Sequence, residues 1–167
     1  SFIDLLRALD SVDGIERYRI SSIEPNLITD EIIEFCAQSP KFMPHFHIPL
    51  QSGSTHILGL MRRRYTADRY RERIAKIREL MPDTFLGVDV IVGFPGETYD
   101  DFKETVSLVN EVKFASLFTF IYSKRKGTPA EKMSEQVSTE EKSRRLHRLE
   151  AEVSAVRKSI LLEEIER

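Results

Sequence analysis

Apolar positions along the chain alternate between helical stripes and short extended runs. Residues 2–9 read as a short amphipathic helix that ends near Asp10 to Gly14. Arg17 to Ile23 is the first strand candidate, closed by Glu24-Pro25-Asn26. Thr29 can cap a helix with Asp30 and Glu31 in its first turn, where they suit the dipole, and with Ile32, Ile33, Phe35 and Cys36 inward. His45 to Leu50 is the second strand and opens into Gln51-Ser52-Gly53-Ser54. Ile57, Leu58 and Met61 mark a short helix. A longer one from about Ala67 to Met81 carries Tyr70, Ile74, Ile77 and Met81 on one stripe, and Pro82-Asp83 breaks it. The β-branched run from Val88 to Val92 predicts a third strand, buried on both faces and stopped by Gly93-Phe94-Pro95-Gly96. Thr98-Tyr99-Asp100-Asp101 resembles a capping box for a helix with Phe102, Val106, Val109 and Val112 inward. Ser116 to Tyr122 is the fourth strand, followed by a Gly- and Pro-containing loop to Ala130. Ser138-Thr139-Glu140-Glu141 is the better capping box. It opens a long helix with Leu146, Leu149, Val153, Val156 and Ile160 in a stripe that packs on the domain.

Four alternations of strand and helix predict an α/β fold with a parallel sheet of βα units. A closed eight-stranded barrel needs about 250 residues, so this chain makes a partial parallel (β/α) barrel or an open sheet, with a long C-terminal helix. In either arrangement the functional groups lie at the C-terminal ends of the strands. Glu24, Gln51, Asp89 with Glu97, and Tyr122 with Arg125 all fall there. Asp89 is the sharpest of these signals. A carboxylate inside an apolar strand costs several kcal/mol unless it is paired, so the strand is expected to meet a polar ligand or cation at that point.

The bulk composition narrows little. The chain has 167 residues, 41% of them apolar, and a net charge of −2, so no global charge points to nucleic acid or a membrane surface. Arg62-Arg63-Arg64 and Lys124-Arg125-Lys126 are local clusters that can meet phosphate or simply face solvent. No apolar run is long enough to span a bilayer, and no signal peptide is visible. The start at Ser1 and the end inside a charged helical run read as a piece of something longer. Cys36 is the single cysteine, which excludes an intrachain disulfide and a multi-cysteine metal site, and it reads as a core thiol.

Two further chemistries stay open on the residues alone. His45 and His47 lie two apart on a strand and point to one face. With Asp89 from a later strand they form a donor pattern for a divalent metal in a barrel hydrolase. The other histidines, His56 and His147, sit on helical segments and add nothing to it. A non-catalytic module would instead use the 138–165 helix as a partner surface.

Five motifs in series carry a family resemblance. They are Ser21-Ser22-Ile23-Glu24-Pro25; His47-Ile48-Pro49-Leu50-Gln51-Ser52-Gly53-Ser54; Met61-Arg62-Arg63-Arg64-Tyr65-Thr66; Asp89 through Thr98; and Tyr122 through Ala130. Together, over about residues 1 to 135, they closely resemble the radical S-adenosylmethionine methylthiotransferases. The resemblance implies the later part of a (β/α)6 barrel over 1–135, with 136–167 as a helix leading toward an RNA-binding domain. It also implies S-adenosylmethionine as cofactor and two 4Fe–4S clusters in the parent enzyme. A 5′-deoxyadenosyl radical would remove hydrogen from the substrate carbon, which then receives sulfur and a methyl group. In tRNA the target is C2 of a modified adenosine 37 in the anticodon loop, and such an enzyme is cytoplasmic.

By the same resemblance, Ser22 and Glu24 would hold the methionine end, and Arg63 would pair with the cofactor carboxylate. Gln51 and Asp89 would bond the ribose hydroxyls, and Ile91 would pack near the adenine. Tyr122 and Arg125 would face the substrate opening. The Cys-x3-Cys-x2-Cys loop that ligates the radical cluster is missing, so the chain on its own is expected to be inactive. Ser-Ser-Ile-Glu-Pro favours the enzymes acting on threonylcarbamoyladenosine. Phe118-Thr119-Phe120-Ile121-Tyr122-Ser123 leans toward those acting on isopentenyladenosine. The branch that modifies a ribosomal-protein aspartate fits least.

Overall fold

The computed structural model describes residues 1–166, with a helix wherever a capping residue precedes an apolar stripe. Helix α1 (Phe2–Asp10) starts from Ser1, which forms a reciprocal capping box with Asp4. Thr29 caps α2 (Asp30–Gln38), Ser54 caps α3 (Thr55–Leu60) and Thr66 caps α4 (Ala67–Leu80). Each such cap stabilises its helix by about 1 kcal/mol. Thr98 and Asp101 form a full box at α5 (Tyr99–Val112). The box expected at α6 (Thr139–Ile165) is only half made. Ser138 accepts from the Glu141 N–H, but the Glu141 carboxylate is held by Arg145 Nε and Arg144, both at 3.0 Å.

Among the described residues, strands β1 (His45–His47), β2 (Phe85–Val92) and β3 (Ser116–Ile121) form one open parallel sheet in the order β1-β2-β3. The expected strand over residues 17–23 is not formed. Tyr18 makes an isolated bridge with Phe42, and the Ile23 N–H reaches the His47 carbonyl at 3.0 Å. Between those points Pro44 has no N–H, and the His45 N–H turns back to the Met43 carbonyl, so the ladder cannot continue. The second strand also stops short of the expected Leu50. Pro49 interrupts the donors, while the hydroxyls of Tyr65 and Tyr70 donate to the carbonyls of Pro49, Leu50 and Ile48.

One face of the sheet is core. Leu86, Val88, Val90 and Val92 are buried with Tyr70, Ile74 and Ile77 of α4 and Phe102, Val106 and Val109 of α5. The expectation that β2 is buried on both faces is corrected by its alternation, because Asp89 and Ile91 are only half-buried and face a cleft. Next to them in register, Phe118 and Phe120 of β3 are each 53% exposed. Cys36 is buried in the core, and burial pushes its thiol up to about 11. Helix α6 docks through Leu149, with Leu146 and Val153 beside it, while Leu161, Leu162 and Ile165 are exposed. No helix of the described residues is long and apolar enough to cross a membrane.

Candidate functional site

A cleft of about 630 Å³ opens at the C-terminal ends of the strands. Gln51 reaches it from the end of the β1 segment, Asp89 and Ile91 from β2, Phe120 from β3, Tyr122 from just beyond that strand, and Arg62 and Arg63 from the turn after α3. Arg125 also lines it. A topological position of this kind is where parallel α/β folds bind ligands.

Gln51 takes its place through an unusual backbone. Its φ is +69°, a left-handed conformation that costs a residue with a Cβ about 1–2 kcal/mol. The N–H groups of Leu50 and Gln51 both donate to the Asp89 carbonyl, at 3.2 and 2.8 Å, which bends the chain at the strand end. Below it the loop is pinned to α5. The Gly53 N–H donates to Thr105 Oγ1 at 2.9 Å, and Ser54 Oγ donates to Asp101 at 2.7 Å. A Cβ on Gly53 would lie 2.5 Å from the Thr105 Cα, so only glycine allows this approach. Burial raises the Asp101 carboxyl, but the Ser54 hydroxyl and the N–H and hydroxyl of Thr98 outweigh it and hold the group below its usual range.

The arginine cluster follows the end of α3. Arg62 N–H bonds to the Gly59 carbonyl at 3.0 Å and Arg63 N–H to the Leu58 carbonyl at 2.9 Å, the paired bonds of a Schellman turn. Arg62 occupies the left-handed position, φ +57°, where glycine is usual. The turn sends Arg63 back to Glu24, with 3.4 Å between Nη1 and Oε1. This places a cation and a carboxylate side by side, the arrangement that meets a zwitterionic amino acid. Arg63 Nε is buried without a hydrogen-bond partner, and so is the hydroxyl of Tyr122. Both suit a polar ligand in the cleft. Arg64 is exposed and does not line it, and neither does Ser22.

Asp89 meets His47, with 3.0 Å between Oδ2 and Nε2. His45 shares that face of β1, but its ring stacks on Phe85 at 4.8 Å. Among the described residues no three His, Cys, Asp or Glu side chains could hold a metal, so the hydrolase reading has no donor set.

Behind the cleft, Glu97 is buried and its carboxylate accepts from the Gly93 N–H at 2.9 Å and from Arg145 Nη1 of α6 at 2.8 Å. Burial holds Glu97 above its usual range, against the pull of Arg145 and Gly93. The sequence reading missed Arg145 and the Thr105 anchor. The available signal was an arginine four residues before Leu149, on the apolar stripe of α6.

The profile of the radical SAM superfamily matches residues 2–109. A tRNA-2-methylthio-N(6)-dimethylallyladenosine synthase of Thermobifida fusca is 50% identical over 149 residues, covering 89% of this chain and 30% of that protein. The threonylcarbamoyladenosine tRNA methylthiotransferase MtaB of Bacillus subtilis is 49% identical over 150 residues, 89% of this chain and 33% of that protein. The chain thus spans about a third of the length of the curated relatives it matches. Among solved structures, coproporphyrinogen III oxidase (HemN) from Escherichia coli superimposes with a TM-score of 0.72 at 19% identity, over 93% of this chain and 36% of that one. That likeness shows the fold.

Proposed function

The chain belongs to the radical SAM superfamily, and from that premise we propose that it forms the later part of the catalytic barrel of a tRNA methylthiotransferase whose cofactor occupies the cleft. The observation that carries this reading is the convergence of Gln51, Arg63, Asp89 and Ile91 on one cleft, with Glu24 paired to Arg63.

Each residue fits a part of S-adenosylmethionine. Arg63 presents a planar fork of donors to the carboxylate. Glu24 beside it meets the ammonium, with Ser22 on the same segment. Asp89 and Gln51 bond the ribose hydroxyls, and Ile91 packs against the adenine. Tyr122 and Arg125, which also line the cleft, would face the substrate opening. One molecule of the cofactor would supply the methyl group, and another, cleaved by one electron from a cluster outside this chain, the 5′-deoxyadenosyl group that removes hydrogen from the substrate carbon. The chain's own residues hold and orient it. They do not fit the 4Fe–4S clusters, because one buried cysteine with a raised thiol cannot ligate them. Those ligands belong elsewhere in the parent enzyme.

The substrate is then C2 of a modified adenosine 37 in the tRNA anticodon loop, and the enzyme is cytoplasmic. Relatives of both substrate types match at similar identity. The Ser21 to Pro25 phrase, which carries Glu24, favours threonylcarbamoyladenosine; the Phe118 to Ser123 phrase keeps isopentenyladenosine as the second reading. Nucleoside mass spectrometry of tRNA from a strain lacking the gene tests this. The expected result is loss of the methylthio group from threonylcarbamoyladenosine alone. Loss from isopentenyladenosine alone selects the second reading, and unchanged tRNA rejects both.

A further inference from the structure

We infer that His47 is a positioning residue that holds the Asp89 carboxylate in the orientation needed to accept from the cofactor ribose. The inference rests on the cleft taking S-adenosylmethionine. Asp89 lines the cleft, whereas His47 does not. His47 pairs in register with Gly87, and Asp89 stands two residues further along β2 on the same face. The imidazole lies over Gly87, where a Cβ would come 2.8 Å from Nδ1. On its other side it meets the Phe118 ring at 6.1 Å, and Phe118 is the register neighbour of Asp89. Glycine beneath and an aromatic ring beside it thus fix the imidazole. Its Nε2 lies 3.0 Å from Asp89 Oδ2, in ion-pair contact with one carboxylate oxygen, and the other is left for the ligand.

Nothing else explains the pair as well. A metal would need a third donor, and among the described residues none is present. A purely structural role would bury the pair, but both side chains keep exposure, 20% for His47 and 28% for Asp89. A carboxylate left free to rotate would lose much of a charge-assisted bond to a hydroxyl, and such bonds depend steeply on geometry.

The test is titration calorimetry of the full-length protein with S-adenosylhomocysteine and with its 2′,3′-dideoxy counterpart, which lacks the hydroxyls. The readout is the ratio of the two affinities. The wild-type protein is expected to prefer the ribose ligand, and His47→Phe to lower that preference roughly tenfold. His47→Gln, whose amide nitrogen can stand in for Nε2, is expected to restore most of it. Gly87→Ala displaces the imidazole without removing a core side chain, and its preference should fall in the same direction. Preference lost in Asp89→Ala but kept in His47→Phe and Gly87→Ala overturns the positioning role while leaving the cofactor site in place. Equal loss of both ligands in His47→Phe also overturns it. A wild-type protein that does not bind or distinguish the two overturns the inference together with the reading it rests on.

Discussion

Gln51 and Arg62 both hold a left-handed backbone conformation that glycine adopts without strain, and both line the cleft. For Arg62 the strain is about 1–2 kcal/mol, and the extra freedom of glycine in the unfolded chain returns about half of that. Arg62→Gly is therefore expected to stabilise the protein by roughly 0.5–1 kcal/mol, read as a higher denaturation midpoint. Gln51→Gly should give a similar gain while weakening cofactor binding, because the side chain that the strain aims into the cleft is gone. Asp101 gives a pH signature. Its carboxyl is held below its ordinary value, so its stabilising effect is present above the unfolded value and is lost as pH falls through the folded one. Unfolding titrations below pH ~4 should show a steeper loss in the wild type than in Asp101→Asn. Glu97 has the opposite sign, losing stability as pH rises through its raised folded value. At this scale the sequence was partly legible. Asp89 stood out because a carboxylate interrupts an apolar run, but backbone φ leaves no trace in residue identity, so the strain at Gln51 and the turn at Arg62 were not foreseen.

Elements are joined to the cleft by a few close contacts. The Gln51 to Ser54 loop rests on α5 through Gly53, and Gly53→Ala must push a methyl into backbone 2.5 Å away. Overpacking of this kind costs about 1–3 kcal/mol, so the midpoint in urea should drop with little change in slope. Arg145 ties α6 to the loop after β2, and Arg145→Ala leaves the buried Glu97 carboxylate without its partner at a cost of about 3–5 kcal/mol. Combining it with Glu97→Gln should recover part of that loss, since the uncompensated charge is removed. Helix positions were legible because caps and stripes are local. The capping box at Ser138 was half right, since a competing arginine one turn on takes the glutamate, and a local motif cannot show that competition. The strand over 17–23 failed because its ladder depends on Pro44, a residue far from it in sequence.

In the whole molecule, alternating strands and helices were enough to give a parallel sheet, because that rule follows from chain connectivity rather than from any single residue, and a cleft opens at the end where such folds bind ligands. The number of strands was not, since pairing depends on donors and acceptors across the sheet. The open face that carries His47, Asp89, Ile91, Phe118 and Phe120 could not be read from β-branching alone. In the proposed function this face and the cleft at its end hold S-adenosylmethionine for radical chemistry. The most direct measurement is 5′-deoxyadenosine formation by the full-length enzyme, reconstituted without oxygen and given S-adenosylmethionine and dithionite, with and without Asp89→Ala. The expected result is product from the wild type and a sharp drop in the variant. No product from a fully loaded wild-type enzyme would contradict the radical assignment, and equal product from both would contradict the role given to Asp89.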